Sequence, residues 1–136
     1  MEKLKSILLV DDDHSTNFYH RLVLRDAGLA EQIDVCVNGQ LALEYLNETL
    51  ANNGILPEFI FLDINMPVMD GWEFLKAYDS LDNTIKEHCN IIMLTTSINP
   101  DDREDGLSQL NVKDFRNKPL TAEMVEELKA NLLSSN

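Results

Sequence analysis

Three short apolar runs punctuate the chain, and each stops abruptly on polar side chains. Ser6-Ile7-Leu8-Leu9-Val10 gives way to Asp11-Asp12-Asp13, Phe59-Ile60-Phe61-Leu62 to Asp63, and Ile91-Ile92-Met93-Leu94 to Thr95-Thr96-Ser97. Runs without polar alternation suit the central strands of a parallel sheet, buried on both faces. Ile33-Asp34-Val35-Cys36-Val37 alternates instead, as an edge strand does, and residues 112–117 read as a last strand closed by Lys118-Pro119. The stretches between carry apolar residues at helical intervals. Residues 15–27 set Phe18, Leu22 and Val23 on one face before Gly28 stops the helix, and residues 40–51 do the same with Leu43, Leu46 and Leu50 after Asn38-Gly39. A third helix is predicted from Trp72 to Leu81, behind Asp70-Gly71. Residues 100–110 are helical only weakly, because Gly106 interrupts them and Leu107 and Leu110 are the sole apolar anchors. Thr121 N-caps a closing helix with Glu123 and Glu126 early and Val125, Leu128 and Leu132 on one face. Ser134-Ser135-Asn136 reads as a tail.

Five strands alternating with five helices predict an α/β fold, a parallel sheet flanked by helices on both faces and joined by right-handed crossovers. The 136 residues suit one domain, residues 1–136, large enough to bury its own core. Charge narrows the choice of partner. With 11 basic against 24 acidic side chains, the net charge of −13 repels nucleic acid and anionic lipid alike. No apolar run approaches the ~20 residues needed to span a bilayer. The N-terminus lacks the apolar stretch and cleavage site of a secretory signal. Cys36 and Cys89 fall in predicted strand regions without a CxxC pattern and read as buried free thiols. A cytoplasmic protein with neither a nucleic-acid nor a membrane partner is expected.

The chemistry gathers at the strand ends. In open parallel sheets the carboxyl ends of the strands line one ligand crevice, close to the point where strand order reverses. That edge should collect Asp11, Asp12, Asp13 and Asp63 with the Thr95 hydroxyl and the Lys118 ammonium, although these residues span more than a hundred positions. A single Asp after a strand is ordinarily a helix cap or turn residue. Several converging carboxylates are another matter, since two of them ~4 Å apart repel by about 4 kcal/mol at an effective dielectric near 20. A hard divalent cation on oxygen ligands relieves that repulsion, and Mg2+ suits a shallow cluster of one or two carboxylates shared with a phosphate. Lys118 alone would read as a solvated surface lysine; before Pro119 at the end of a buried strand it becomes a candidate counter-ion for such a phosphoryl group.

Val10-Asp11-Asp12-Asp13, the stretch Leu62-Asp63-Ile64-Asn65-Met66-Pro67-Val68-Met69-Asp70-Gly71, Met93-Leu94-Thr95-Thr96 and Asn117-Lys118-Pro119 together resemble the receiver domain of bacterial response regulators, in order and spacing and over essentially the whole chain. The resemblance implies a flavodoxin-like sheet of strand order 2-1-3-4-5. It implies that Asp63 is the phosphoacceptor of a two-component phosphorelay, forming an acyl phosphate. Asp12 would bind Mg2+ directly, Asp11 mainly through water, and Asn65 through its backbone carbonyl. Thr95 would hydrogen-bond the phosphoryl group and Lys118 would pair with its charge, while Asp13 would be a helix-side acid and Pro67 and Gly71 would shape the loop. The conformational switch would couple Thr95 to Phe115, which lacks the hydroxyl of the commoner tyrosine. Thr96 stands where a smaller residue is usual and narrows access. The segments 46–58 and 77–90 are long for the family and resemble stand-alone regulators associated with phytochrome-type kinases.

The partner so implied is a histidine kinase or histidine phosphotransfer protein. Because the closing helix ends near the C-terminus, no output domain is expected, and output would pass to an unknown protein or by onward phosphotransfer. Enzymatic turnover is not expected beyond the protein's own phosphorylation and dephosphorylation. A Mg2+-dependent phosphohydrolase of the haloacid dehalogenase type uses similar groups, but its nucleophile comes first and its acidic pair last. Here the pair comes first, and Asn65 stands where that motif has a second acid. A fold-alike module that never turns over would leave the full set Asp11, Asp12, Asp63, Thr95 and Lys118 unexplained. His14, His20 and His88 show no ligand spacing and read as surface or packing residues. Trp72 reads as a core anchor and residues 101–105 as a solvated acidic helix face.

Overall fold

The computed structural model describes residues 3–133; the tail read at Ser134 to Asn136 lies outside them. The strands are β1 (Leu4–Val10), β2 (Ala30–Cys36), β3 (Phe59–Leu62), β4 (Asn90–Thr95) and β5 (Val112–Asn117). The helices are α1 (His14–Asp26), α2 (Gly39–Ala51), α3 (Gly71–Tyr78), α4 (Asn83–His88), α5 (Pro100–Ser108) and α6 (Ala122–Leu132). All neighbouring strands pair in parallel, in the order β2-β1-β3-β4-β5. The expected sheet is therefore present, but with six helices among the described residues rather than five.

The apolar runs build the sheet as their pattern requires. Along each central strand successive side chains enter opposite faces: Leu8, Val10, Ile60, Leu62, Ile91 and Met93 pack with Leu46, Phe74, Tyr78, Ile85 and Phe115. Their alternates Ile7, Leu9, Phe59, Phe61, Ile92 and Leu94 pack with Leu24 of α1 and Val125 and Leu128 of α6. Fully burying each Leu, Ile or Phe stabilises the fold by roughly 1.5–3 kcal/mol, so the central strands, apolar on both faces, anchor the sheet edge that carries the chemistry.

The departures from expectation have local causes. The helix expected over residues 72–81 stops at Tyr78. The chain turns through residues 79–82, and Asp82 then caps a new helix by accepting the Thr84 N–H at 2.8 Å. This additional helix fills the long segment noted before β4. Cys89 is the C-cap residue of α4 rather than part of a strand, and Cys36 ends β2; both are buried free thiols. Burial raises the Cys36 thiol to about 11 and the Cys89 thiol to about 12, so both stay protonated and inert. In α1 the buried residues are Asn17, His20 and Leu24, whereas Phe18 is 66% exposed. Polar side chains displaced the expected apolar face because they hydrogen-bond to buried backbone. In α5 Leu107 is exposed, as is Leu110 just beyond the helix, and Gly106 is the helix's buried residue. The glycine read as an interruption is the contact point, because a Cβ there would lie 2.7 Å from Phe115 Cδ2.

Candidate functional site

Order along the sheet reverses between β1 and β3, the neighbours whose carboxyl ends open the crevice. Asp11 follows β1 and Asp63 follows β3; both are buried, at 5% and 8% exposure. Asp12, next to Asp11, is exposed. One carboxylate oxygen from each of Asp11, Asp12 and Asp63 falls within 4.8 Å of the others. Lys118, just past β5, reaches over the edge of the sheet: its Nζ donates to Asp11 Oδ2 at 2.5 Å and lies 3.3 Å from Asp63 Oδ1. Three acids against one ammonium leave two negative charges at the edge, a deficit matched by one divalent cation. The donors are all oxygens, which suits a hard ion.

Asp13 does what was expected of it, as the N-cap of α1 accepting the Thr16 N–H at 3.0 Å and the Thr16 hydroxyl. Asp11 is held in turn. Its Oδ1 accepts the Asp13 N–H at 3.0 Å, and its backbone carbonyl accepts Asn17 Nδ2 at 2.8 Å. Burial raises the Asp63 carboxyl above the usual range, the Asp11 charge adds to that, and Lys118 opposes it. For Lys118, burial pulls downward, but the Asp11 hydrogen bond and the charges of Asp11 and Asp63 outweigh it, so its affinity for a proton is raised. The ammonium therefore stays charged.

The loop after Asp63 is shaped by backbone contacts. The Gly71 N–H donates to Ile64 O at 2.7 Å, and a Cβ on Gly71 would lie 2.5 Å from Asp63 O. Helix α3 can start this close to the strand end only without a side chain there. Asp70 and Glu73 form a capping box that fixes its first turn. Between them and Asp63, Val68 adopts φ 67, a left-handed conformation costly for a β-branched residue. Asn65 is exposed on this loop.

Thr95 ends β4 at 1% exposure, and its hydroxyl accepts the Ser97 N–H at 3.1 Å. Its carbonyl accepts the Lys118 N–H at 2.9 Å. Thr95 and Lys118 are thus joined through the backbone, while the Thr95 hydroxyl is turned to its own loop. Phe115 is paired in register with Met93 and buried at 2% exposure. Thr96 is exposed and borders a shallow cleft with Tyr19, His20 and Lys118.

His20 is the residue whose contribution the sequence concealed. Its Nε2 accepts the Leu120 N–H at 3.1 Å, tying α1 to the loop that carries Lys118. Burial, and then the Lys118 charge, lower its basicity from the ordinary 6.5, with Asp11 opposing. The neutral ring is the one that accepts, so its contribution is present above pH 6.5 and is lost as pH falls below it. His20→Gln keeps an acceptor without the titration. Wild type should therefore lose stability relative to His20→Gln on moving from about pH 7.5 to about pH 5.5, read from urea midpoints. Parallel pH profiles for the two proteins would overturn the assignment.

Comparison with known proteins agrees with the fold. Residues 7–129 match the model of the response regulator receiver domain. The transcriptional regulatory protein PrrA of Mycobacterium leprae is 33% identical over 125 residues, covering 91% of this chain and 48% of PrrA. The chain thus spans about half the length of that relative. A two-component response regulator from Cytophaga hutchinsonii superposes with a TM-score of 0.90 at 30% identity, covering 98% of this chain and all of the other. The bacteriophytochrome response regulator AtBRR gives 0.79 at 27% identity, covering 99% and 96% of the two chains. The matched family places this parallel sheet and its acidic edge in the class of signalling domains. The chain belongs to the response regulator receiver domain family of two-component systems. Among the described residues no helix is long and apolar enough to cross a membrane.

Proposed function

We propose that this receiver domain is a phosphoacceptor switch in which Asp63 takes a phosphoryl group from a histidine kinase or a histidine phosphotransfer protein. The observation that carries the proposal is the placement of Asp63. It is a buried carboxylate at the switch point of the sheet, flanked by Asp11 and by the Lys118 ammonium 3.3 Å away. In the transfer a carboxylate oxygen of Asp63 forms a bond to phosphorus, the donor's bond to phosphorus breaks, and the leaving group keeps the electron pair and takes up a proton. Little covalent work falls to the other residues, which position the groups and neutralise charge. Lys118 faces the phosphoryl oxygens, Thr95 turns its hydroxyl toward them from the end of β4, and Asn65 lends its backbone carbonyl. A Mg2+ ion held by Asp11, Asp12, Asp63 and Asn65 would neutralise the charge that gathers on the phosphoryl oxygens. As Thr95 moves, Phe115 repacks, and the face made by α5, β5 and α6 carries the signal to a protein partner or to a further phosphotransfer, in the cytoplasm.

Acetyl phosphate with Mg2+ tests the reading directly. One phosphoryl group should appear by intact mass, and hydroxylamine should release it, as it does an acyl phosphate. No incorporation, or a hydroxylamine-stable product, would overturn the proposal. Mg2+ itself should stabilise the fold, because a ligand of the native state alone adds about 1.4 kcal/mol at ten times its dissociation constant. Asp12→Ala should lose this gain while remaining folded, since Asp12 is exposed. Equal melting temperatures for wild type with Mg2+ and with an ionic-strength control would show that the cluster binds no metal.

A further inference from the structure

Strand β2 is one edge of the sheet, and two helices flank it from opposite faces: α1, packed with the cluster around Leu24, and α2, packed with the cluster around Leu46. Each helix leaves a groove against the end of this strand, and the two grooves share Val35 and Val37. Their walls carry opposite charge. On α1 the groove is lined by Phe18, Arg21 and Arg25, one stripe at i, i+3 and i+7. On α2 it is lined by Leu41, Glu44 and Glu48, at the same spacing. All six side chains are exposed. Among the described residues neither arginine and neither glutamate is in an ion pair. Glu44 accepts Gln40 Nε2 at 3.1 Å, a neutral neighbour on its own helix. A chain with a net charge of −13 thus holds two arginines one turn apart with no acid against them.

We propose that this edge is a docking surface for a second copy of the chain, with α1 of one protomer against α2 of the other. Both helices return from the carboxyl edge of a parallel sheet, so they run in the same direction on opposite faces. A two-fold rotation about an axis parallel to β2, just outside the edge, keeps that direction and exchanges the faces. It sets Phe18, Arg21 and Arg25 of one protomer beside the partner's Leu41, Glu44 and Glu48, and the same contact recurs across the axis. Each apolar residue leads its stripe at the end nearest the carboxyl edge, and each charged pair meets its opposite. A partner of different sequence would need only one of the stripes, whereas a two-fold contact uses both. Strand addition is a poorer use of the edge, because Glu31 and Gln32 are exposed along it. Exposed ion pairs are individually weak, and the like net charge of two copies opposes them, so the dimer forms in a concentration-dependent way. This surface stands apart from the phosphoacceptor reading, since it uses neither Asp63 nor Lys118.

Sedimentation equilibrium of the wild-type chain over a range of concentrations should show the mass rising from 15.5 kDa toward twice that value. Arg21→Glu with Arg25→Glu sets like charges against each other, as does Glu44→Arg with Glu48→Arg. Each double variant should dimerise ~100-fold more weakly, or not at all. Mixed in equal amounts, the two should pair with each other, since every contact between α1 and α2 then joins opposite charges again. The fourfold variant carrying all these changes keeps the net charge of −13 and should dimerise as wild type does. All four side chains are exposed, so urea midpoints should stay close to wild type and separate loss of pairing from loss of fold. A wild-type chain that stays monomeric throughout, or a dimer indifferent to both double substitutions, would overturn the proposal. Failure of the two double variants to pair on mixing would overturn it as well.

Discussion

An Asp63→Asn protein is expected to take up no phosphoryl group from acetyl phosphate at any Mg2+ concentration. Asparagine has nearly the same shape and can keep an acceptor near Lys118, but its amide oxygen carries no negative charge and is no nucleophile at phosphorus. Labelling should therefore fall by ~100-fold or more, the scale of losing a nucleophile outright. Stability should move the other way. Burial and the neighbouring Asp11 raise the Asp63 carboxyl above its usual range, so holding it ionised at neutral pH costs the native state. A neutral amide removes that cost, and Asp63→Asn should melt at or above the wild-type temperature. The Asp11–Lys118 pair remains in place to hold the edge together. Loss of labelling with retained stability identifies the acceptor. Undiminished labelling in Asp63→Asn would show that another carboxylate accepts the phosphoryl group.

Gly71→Ala should be among the most damaging single-methyl additions in the molecule. The new Cβ would lie 2.5 Å from Asp63 O, 3.0 Å from Ile64 Cα and 3.3 Å from Asp63 C. These are backbone atoms, so no side-chain rotation relieves the contact. Either α3 withdraws from the end of β3, breaking the 2.7 Å bond from the Gly71 N–H to Ile64 O, or the backbone of Asp63 itself shifts. Overpacking of this kind costs typically about 1–3 kcal/mol, and here the upper end is expected. Labelling of Asp63 should also fall, because the displaced backbone carries the acceptor. A urea denaturation curve and the acetyl phosphate assay read the two effects on one sample. A Gly71→Ala protein within ~0.5 kcal/mol of wild type and labelled at the wild-type rate would mean the loop is far softer than its contacts indicate.

These expectations draw on different levels of information. The carboxylate edge was legible in the chain because parallel strands end on one side of a sheet, so Asp11, Asp63, Thr95 and Lys118 had to converge once the apolar runs were read as strands. The α5 surface was not legible. Leu107 and Leu110 looked like anchors and are exposed, while Gly106 looked like a break and is the contact with Phe115. Propensity registers what glycine costs a helix and is blind to the ring that needs its missing side chain. The same limit hid α4, whose six residues are too short to carry a periodic signal and whose start is set by one Asp82 cap.

Periodicity by itself determined the alternation of strands and helices, the apolar centre of the sheet and the residues at its carboxyl edge. Each of these follows from burial, which is proportional to apolar area and needs only the order of side chains along the chain. Tertiary structure alone decided that His20 of α1 would accept the Leu120 N–H across a hundred positions, and that Lys118 would bridge Asp11 and Asp63. It also decided that Arg103 would cap the carbonyl of Phe115. Hydrogen bonds and ion pairs are directional and act over about 3 Å, so they depend on distances that exist only after the chain has closed on itself.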